Sequence, residues 1–224
     1  MILLILAALL WLFLHIGVSG TALRDGVVAR LGERGFLVGF SVLSVVSIVL
    51  LVMAYNAADT SFLWAAPAWL RWILAALMLV AFMLFMASHK ANPTAVGGKG
   101  LADEPRGIQR VTRHPMLCSF AIWAGVHLVA NGDTASLVFF GTFLATALAG
   151  MPSIDAKLAR RHGAAWQGFA AKTSIVPFGA IAAGRNRLVP AEIGWVPPVA
   201  GFLLWAALLH FHRAVFGVPA LLFG

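Results

Sequence analysis

Two of the seven histidines in this sequence lie inside long apolar runs, where an imidazole could serve as a metal ligand. His15 lies in an apolar run that begins at Ile2, and His127 lies in a run that begins at Met116. At a helical rise of 1.5 Å per residue, they lie about 10 Å and about 16 Å from the same membrane face. Boundary errors of a few residues let them share a depth. Two imidazoles from different helices can then supply both axial ligands of a haem iron.

A second interpretation of this pair needs no cofactor. Each imidazole can hydrogen-bond a backbone carbonyl or a hydroxyl on a neighbouring helix, as buried polar side chains usually do. The other five histidines fall at helix ends or in a loop segment, where water can reach them: His89, His114, His162, His210 and His212. No Cys-x-x-Cys-His sequence occurs, which excludes covalent haem attachment of the c type.

A basic pair, Arg113 and His114, precedes Pro115 where an apolar run begins. Backbone N–H groups at a helix N-terminus attract anions, so this pair is suited to a haem propionate or a cofactor phosphate. The same residues also fit a simple helix start with positive charge on the cytoplasmic side, because proline is acceptable in the first helical turn. Both interpretations remain open.

The elements that position these residues are predicted to be membrane-spanning helices. The chain is 61% hydrophobic and only 11% charged, too little charge to cover a soluble domain of this size. Apolar stretches near the length needed to cross a hydrocarbon core occur at Ile2–Gly20, Phe36–Asn56, Trp69–Ser88, Met116–Ala130, Thr134–Met151 and Ile193–Phe211. The predicted fold class is all-α, a single-domain membrane bundle of about six transmembrane helices over residues 1–224. The first stretch lacks a basic leader and a clear cleavage site, so we expect a retained helix.

The connections between these stretches carry further predictions. Asn131-Gly132-Asp133 is composed of turn residues and predicts a tight hairpin. Ser153 is predicted to cap a separate amphipathic, interfacial helix that ends near Gly163 or beyond. Its apolar face would comprise Ile154, Leu158, Ala165 and Phe169. The stretch Ile175–Ala183 is too short to span a membrane and predicts an interfacial or re-entrant segment.

The distribution of Lys and Arg predicts the orientation. Fourteen of the sixteen basic residues fall in three connecting segments, 21–35, 89–115 and 152–192, and the remaining two are Arg71 and Arg213. By the positive-inside rule these three segments face the cytoplasm and both termini face outside. The net charge of +8 is therefore a sign of topology rather than of a nucleic-acid partner.

Several motifs carry a resemblance to a known family. They are Leu14-His15 with Ser19-Gly20, Arg24, Gly32-Glu33, Thr112-Arg113-His114-Pro115, Trp123, His127, Asn131-Gly132-Asp133, Pro177-Phe178 and Gly184-Arg185. Across nearly the whole chain they resemble the bacterial NnrU family of membrane proteins, which is associated with nitrite and nitric oxide metabolism in denitrification. The resemblance implies a bacterial inner-membrane protein.

The NnrU family is itself similar to plant and cyanobacterial zeta-carotene isomerase, which holds a haem b between histidines. The resemblance places the two iron ligands at His15 and His127. It also marks Arg113, His114, Arg24 and Arg185 as cofactor-binding candidates. Where the isomerase has a cysteine three residues before its second ligand, this chain has Ala124. The resemblance thus implies haem b without the thiol of a redox-linked ligand exchange.

The leading functional expectation is a haem-b-binding NnrU-family protein acting in nitrogen-oxide metabolism. A first alternative is a haem-dependent cis–trans isomerase of a polyene. A further alternative is a non-catalytic assembly factor or a methyltransferase-like protein, because the Arg-His-Pro start and Asp155 resemble membrane methyltransferases that bind S-adenosylmethionine. Expected partners are membrane lipid and either a lipophilic polyene or a diatomic gas, with no nucleic acid.

Overall fold

The computed structural model describes residues 1–89, 92–94, 101 and 104–221. Within these ranges the secondary structure is helical apart from one isolated bridge between Phe62 and Asp133, which confirms the all-α class. The helices are α1 (Ile2–Leu12), α2 (Ala22–Asn56), α3 (Ala68–Ala87), α4 (Pro115–Asn131), α5 (Thr134–His162), α6 (Ala164–Ala171), α7 (Gly179–Ala182), α8 (Pro190–Ile193) and α9 (Val196–Phe216). A π-helical turn, Phe13–Val18, continues α1, and a 3₁₀ turn, Gly107–Arg110, precedes α4. Lys90 and Lys99 of the predicted basic segment lie outside the described residues.

The apolar helices match the predicted spans. In the described part of the chain, α2 from Leu23, α3, α5 and α9 are long and apolar enough to cross a membrane. The run Ile2–Val18 and α4 are shorter apolar helices. Together they occupy the six predicted stretches, so the chain has the helical membrane fold that its composition predicts.

Contacts divide the chain into two compact units. Unit 1 comprises Met1–Ala66 and His127–Ile154, and unit 2 comprises Pro67–Val126 and Asp155–Gly224. The divisions fall within α4 and α5. His15 and His127 therefore belong to unit 1, whereas Arg113 and His114 belong to unit 2.

In unit 1 the hairpin between α4 and α5 has the predicted tight turn. Gly132 adopts a φ of 63°, and its carbonyl oxygen accepts hydrogen bonds from the backbone N–H groups of Leu63 and Trp64 at 2.8 Å and 3.1 Å. A Cβ at Gly132 would lie 1.9 Å from the Trp64 carbonyl oxygen, so only glycine fits. Asp133 accepts hydrogen bonds from Thr60 Oγ1, Ser136 Oγ and Ser136 N–H at 2.7 to 2.8 Å.

The first basic segment is helical, which corrects the prediction of a loop at 21–35. The Thr21 side chain caps α2 by accepting from the Leu23 N–H at 3.3 Å, and the helix is interrupted only at Gly32, where φ is 73° and ψ is 166°. The sequence interpretation took polar residues as a loop. Charged residues end a membrane span without ending the helix, because they are good helix formers in water.

The predicted separate amphipathic helix does not exist as such. Helix α5 runs through Pro152 to His162, and the Ser153 hydroxyl donates to the Gly20 carbonyl at 3.3 Å instead of capping a new helix. Helix α5 ends at His162, directly before Gly163, whose φ is 52°, so a helix does end near Gly163 as the sequence predicted. Phe169 lies on α6, beyond that break, so the proposed apolar face is divided between two helices. A proline inside a membrane-protein helix is tolerated when neighbouring groups satisfy the freed carbonyl.

In unit 2, α3 and α9 pack together as antiparallel neighbours. Gly201 of α9 lies against the backbone of Met83, where an added Cβ would be 2.8 Å from the Met83 Cα. One turn later the Trp205 indole donates to the Ala75 carbonyl at 2.8 Å. The Ile175–Ala183 stretch forms turns and the four-residue α7, in agreement with the prediction that it is too short to span.

Candidate functional site

His15 lies on the π-helical turn that follows α1. Its Nδ1 atom is 3.0 Å from the Trp11 carbonyl oxygen. Because a carbonyl only accepts, Nδ1 carries the proton and Nε2 keeps its lone pair. No residue in the described part of the chain contacts that Nε2 atom through a hydrogen bond. Metal-binding histidines commonly have this tautomer, with the second nitrogen donating to a fixed acceptor. π-Helical turns also occur frequently at functional sites.

Aromatic rings hold the His15 imidazole on two sides. The Trp11 ring stacks on it at 3.8 Å between centroids with a 20° interplanar angle, and the Phe40 ring meets it edge-on at 5.3 Å. The Trp11 indole donates to Thr146 Oγ1 at 3.0 Å and lies 5.2 Å from the Phe143 ring. The imidazole is therefore half-buried among apolar surfaces with one nitrogen uncommitted.

His127 enters the same unit from α4. Its ring stacks on Phe140 at 4.8 Å with an interplanar angle of 23°. Phe140 contacts Phe139, and Phe139 contacts both Phe143 and Tyr55, at 4.5 to 5.2 Å. We call these rings the unit 1 aromatic cluster: Trp11, Tyr55, Phe139, Phe140 and Phe143. A continuous series of ring contacts thus joins His127 to His15.

The contacts on α2 limit how the two histidines approach each other. His15 contacts Phe40, and His127 contacts Phe140, which lies 6.2 Å from Tyr55. Phe40 and Tyr55 are separated by fifteen residues, about 22 Å along a helix axis. The two histidines are therefore related to different levels of α2, and a shared iron would have to lie between those levels.

The donor set fits a haem in its chemistry. Two imidazoles from different helices lie in one unit, one has the tautomer of a ligand, and the rings around them offer the apolar surface that a porphyrin plane requires. Cofactor binding by these residues stays a prediction.

Arg24 is engaged within unit 1. Its guanidinium is 2.6 Å from the Glu33 carboxylate and lies 4.9 Å above the Phe36 ring. Phe36 stacks on Phe40, the ring that contacts His15. The Arg24–Glu33 pair bridges the break in α2 at Gly32, which gives this arginine a structural task besides any contact with a cofactor.

Arg113 and His114 form an ion-pair cluster with Asp155 in unit 2. Arg113 Nε and Nη2 donate to the carboxylate at 2.9 Å and 2.6 Å, and His114 Nε2 lies 2.7 Å from Asp155 Oδ1. The His114 side chain is 0% exposed. Its Nδ1 atom is buried and has no hydrogen-bond partner in the described part of the chain.

In this cluster the two residues of the predicted anion site, Arg113 and His114, already contact an acidic side chain of the protein. The fork of the Arg113 guanidinium faces Asp155, and one His114 nitrogen faces the same carboxylate, so both basic residues are engaged by an acidic partner within the protein. Asp155, on which the methyltransferase resemblance depends, is the partner of both. Sequence reasoning missed this pairing, for which the presence of Asp155 in a basic segment was the only signal.

The remaining arginine candidate, Arg185, binds backbone. Its Nη1 atom donates to the carbonyl oxygens of Ala171 and Thr173. Nearby in sequence, Glu192 accepts from Arg110 Nε at 2.8 Å, from Arg110 Nη2 at 2.9 Å, and from the Gly107 N–H at 2.8 Å. The hydrogen bonds from Arg110 and then Gly107 lower the pKa of Glu192 to about 2. Neither Glu192 nor its partners were singled out by the sequence.

The fold and these histidines define a polytopic helical membrane protein with a histidine pair in one aromatic-rich unit. The family model described as "NnrU protein" matches residues 3–220, so the chain belongs to the NnrU family. It is similar to the chloroplastic 15-cis-zeta-carotene isomerase of Arabidopsis thaliana, with 28% identity over 80% of this chain and 50% of that protein. The Zea mays isomerase is 25% identical over 84% of this chain and 52% of its own. The chain thus spans about half the length of these relatives. No solved structure matches it.

Proposed function

We propose that this NnrU-family chain is a haem-b-binding membrane protein in which His15 and His127 hold the iron. The observation that carries the proposal is the state of His15: Nδ1–H is tied to the Trp11 carbonyl, so Nε2 is left with an available lone pair. When bound, the haem supplies an iron that can carry one electron or bind a diatomic gas.

In this proposal the two histidines bind the iron, and the surrounding aromatic rings shield it from water. His127 is stacked on Phe140, which restricts its ring orientation. The unit 1 aromatic cluster excludes water from the histidines and offers flat apolar faces. The family's association with nitrite and nitric oxide metabolism favours a diatomic gas as the small partner. We therefore propose a role in nitrogen-oxide metabolism.

The test is the absorption spectrum of the protein purified with added haem b. We expect a Soret band and a low-spin, six-coordinate spectrum in wild type, and loss of most haem in His15→Ala and in His127→Ala. The matched control is His89→Ala, because His89 Nδ1 makes the same contact to the carbonyl four residues earlier, 2.9 Å from Phe85 O, at an exposed helix end. Normal haem content in both His15→Ala and His127→Ala would reject the assignment.

A second candidate, cis–trans isomerisation of a lipophilic polyene, is favoured by the similarity to the two 15-cis-zeta-carotene isomerases. This reaction changes only the geometry of a double bond, and lipid-facing apolar helices give a polyene access. Ala124, at the position of the isomerase cysteine, is 0% exposed. Incubation of wild type and Ala124→Cys with a cis-polyene under reducing conditions distinguishes an isomerase from a protein of nitrogen-oxide metabolism. Turnover by wild type would favour the isomerase over the nitrogen-oxide role.

We also propose that the chain lies in a bacterial inner membrane with both termini outside, because its basic residues are so unequally distributed. A reporter fused after Arg185 is expected to read cytoplasmic. A reporter in the connection between Asp59 and Pro67 is expected to read periplasmic. The opposite pair of signals would reverse the orientation, and equal signals would change the number of spans.

A further inference from the structure

We infer that Thr146 and Trp11 act as a positioning pair for His15, an inference that rests on the proposed haem-binding function. The first contact is between the two positioning residues. Trp11 Nε1 donates to Thr146 Oγ1 at 3.0 Å, while Thr146 Oγ1 itself donates to the Thr142 carbonyl at 2.8 Å. The threonine hydrogen is therefore directed along α5, and an oxygen lone pair is left facing the indole.

Trp11 then acts on His15 in two ways. Its carbonyl oxygen accepts the Nδ1–H, which fixes the tautomer, and its indole face stacks on the imidazole at 3.8 Å, which fixes the ring plane. Together these contacts set both side-chain torsions of His15. The direction in which Nε2 points is thus determined by Trp11, which is in turn held by Thr146.

His15 makes this double contact from a π-helical turn. In an α-helix each carbonyl pairs with the N–H four residues on, whereas here the Ser19 N–H donates to the Leu14 carbonyl, five residues back, at 3.0 Å. Single π-helical turns of this kind are frequent at functional sites.

His89 shows what the same backbone contact does without such a pair. Its Nδ1 reaches the Phe85 carbonyl in the same way, but the Phe85 ring meets it at 78° and 4.9 Å, and the histidine is exposed. The phenylalanine side chain has no N–H group that could donate a hydrogen bond to a neighbouring helix. The stacked and pinned indole therefore distinguishes His15 from a histidine that is merely bonded to its own helix.

The test compares three variants of the full chain loaded with haem b. Thr146→Val removes the acceptor of the indole with little change in shape, Thr146→Ser keeps it, and Thr142→Val removes a hydroxyl one turn away that donates to the Val138 carbonyl. We expect Thr146→Val to lose haem to apomyoglobin at least about tenfold faster and to shift the electron paramagnetic resonance g-values, as loss of an outer contact to a ligand does. Thr146→Ser and Thr142→Val should match wild type. A wild-type rate and g-values in Thr146→Val would overturn the inference.

A measurement on the haem-free protein separates this inference from the proposed function. With ¹⁵N-labelled histidine, the His15 signal in wild type should show the Nδ1–H tautomer, and Thr146→Val should show a mixture of tautomers. If wild type binds no haem but the tautomer responds as expected, the positioning pair stands and the haem proposal fails. If the tautomer is the same in both proteins, the positioning pair is refuted whether or not haem binds.

Discussion

His15 in unit 1 and His114 in unit 2 each have one nitrogen engaged, and the two engagements differ in kind. His15 Nδ1 donates to a neutral backbone carbonyl, and the ring lies between two aromatic side chains. His114 Nε2 contacts a carboxylate that also binds a guanidinium. Each histidine has a second nitrogen without a hydrogen-bond partner in the described part of the chain, but that of His114 is fully buried beside an ion pair, whereas His15 is half-buried among aromatic rings.

The difference follows from the surroundings of each residue. At membrane depth a charged partner costs several kilocalories per mole, so a neutral imidazole with a neutral acceptor is the stable choice. At the polar end of a helix, charges are tolerated when they are paired. Burial by itself therefore does not identify a functional histidine. The partner of its first nitrogen is more informative.

The largest expected effect is on haem content. His15→Ala should remove most haem while His114→Ala keeps the wild-type spectrum per folded molecule, because His15 is one of the two proposed ligands in unit 1 whereas His114 lies in the Asp155 cluster of unit 2. The measurement is the ratio of Soret absorbance to protein in both purified variants. Loss of haem in His114→Ala with the fold intact would show that the comparison assigns the roles wrongly.

The next largest effect is on stability, and it is expected at His114 in unit 2 rather than at His15 in unit 1. Asp155→Ala leaves Arg113 and the buried His114 without their shared acceptor, so we expect a loss of about 3 kcal/mol in the free energy of unfolding. Thermal unfolding in detergent measures it. The control is Asp25→Ala, since that carboxylate is 67% exposed and 3.6 Å from Arg24, and should cost less than about 0.5 kcal/mol. Equal losses of unfolding free energy in Asp155→Ala and Asp25→Ala would show that the cluster contributes no more than an ordinary surface ion pair.

Sequence reasoning located the spans because hydropathy depends on composition over some twenty residues. It did not find that α2 begins at Ala22 or that α5 continues to His162, since hydropathy reports where lipid ends and not where a helix ends. The tight turn at Gly132 was predictable because its requirement for glycine is local.

The candidate site was predictable only in part. His15 and His127 were found from their positions in apolar runs, and both lie in unit 1. The partners of the basic residues were not found, because Arg113 and Asp155 are separated by forty-two residues and meet only in the folded chain. The π-helical turn at His15 has no reliable sequence signal, since it depends on the packing of α1 against its neighbours.

A smaller effect is expected at the edge of unit 1. Arg24→Gln removes the ion pair to Glu33 and the cation–π contact over Phe36, which together should contribute about 1 kcal/mol to stability. Because Phe36 stacks on Phe40 next to His15, the haem g-values should shift slightly while haem content is kept. Arg30→Gln, an exposed change on the same helix, is the control and should alter neither. Haem loss in Arg24→Gln would instead indicate direct contact with the cofactor.

The smallest effect concerns pH and is expected in unit 2, where Glu192 accepts from Arg110 and from the Gly107 N–H. The hydrogen bonds from Arg110, then Gly107, hold the pKa of Glu192 at about 2, below its ordinary value of 4.5. A carboxyl group whose pKa is lowered on folding stabilises the protein fully above its unfolded pKa. That contribution is lost as the pH falls through the folded value.

The hydrogen-exchange protection of the Gly107 amide should therefore be constant from neutral pH to about 4.5 and should decline between about 4.5 and about 2. In Glu192→Gln the decline should be absent, because no proton is then taken up at that position. A decline that begins near pH 6 in the unmodified chain would contradict a lowered pKa for Glu192. It would point to histidine protonation as the pH-sensitive event in this unit.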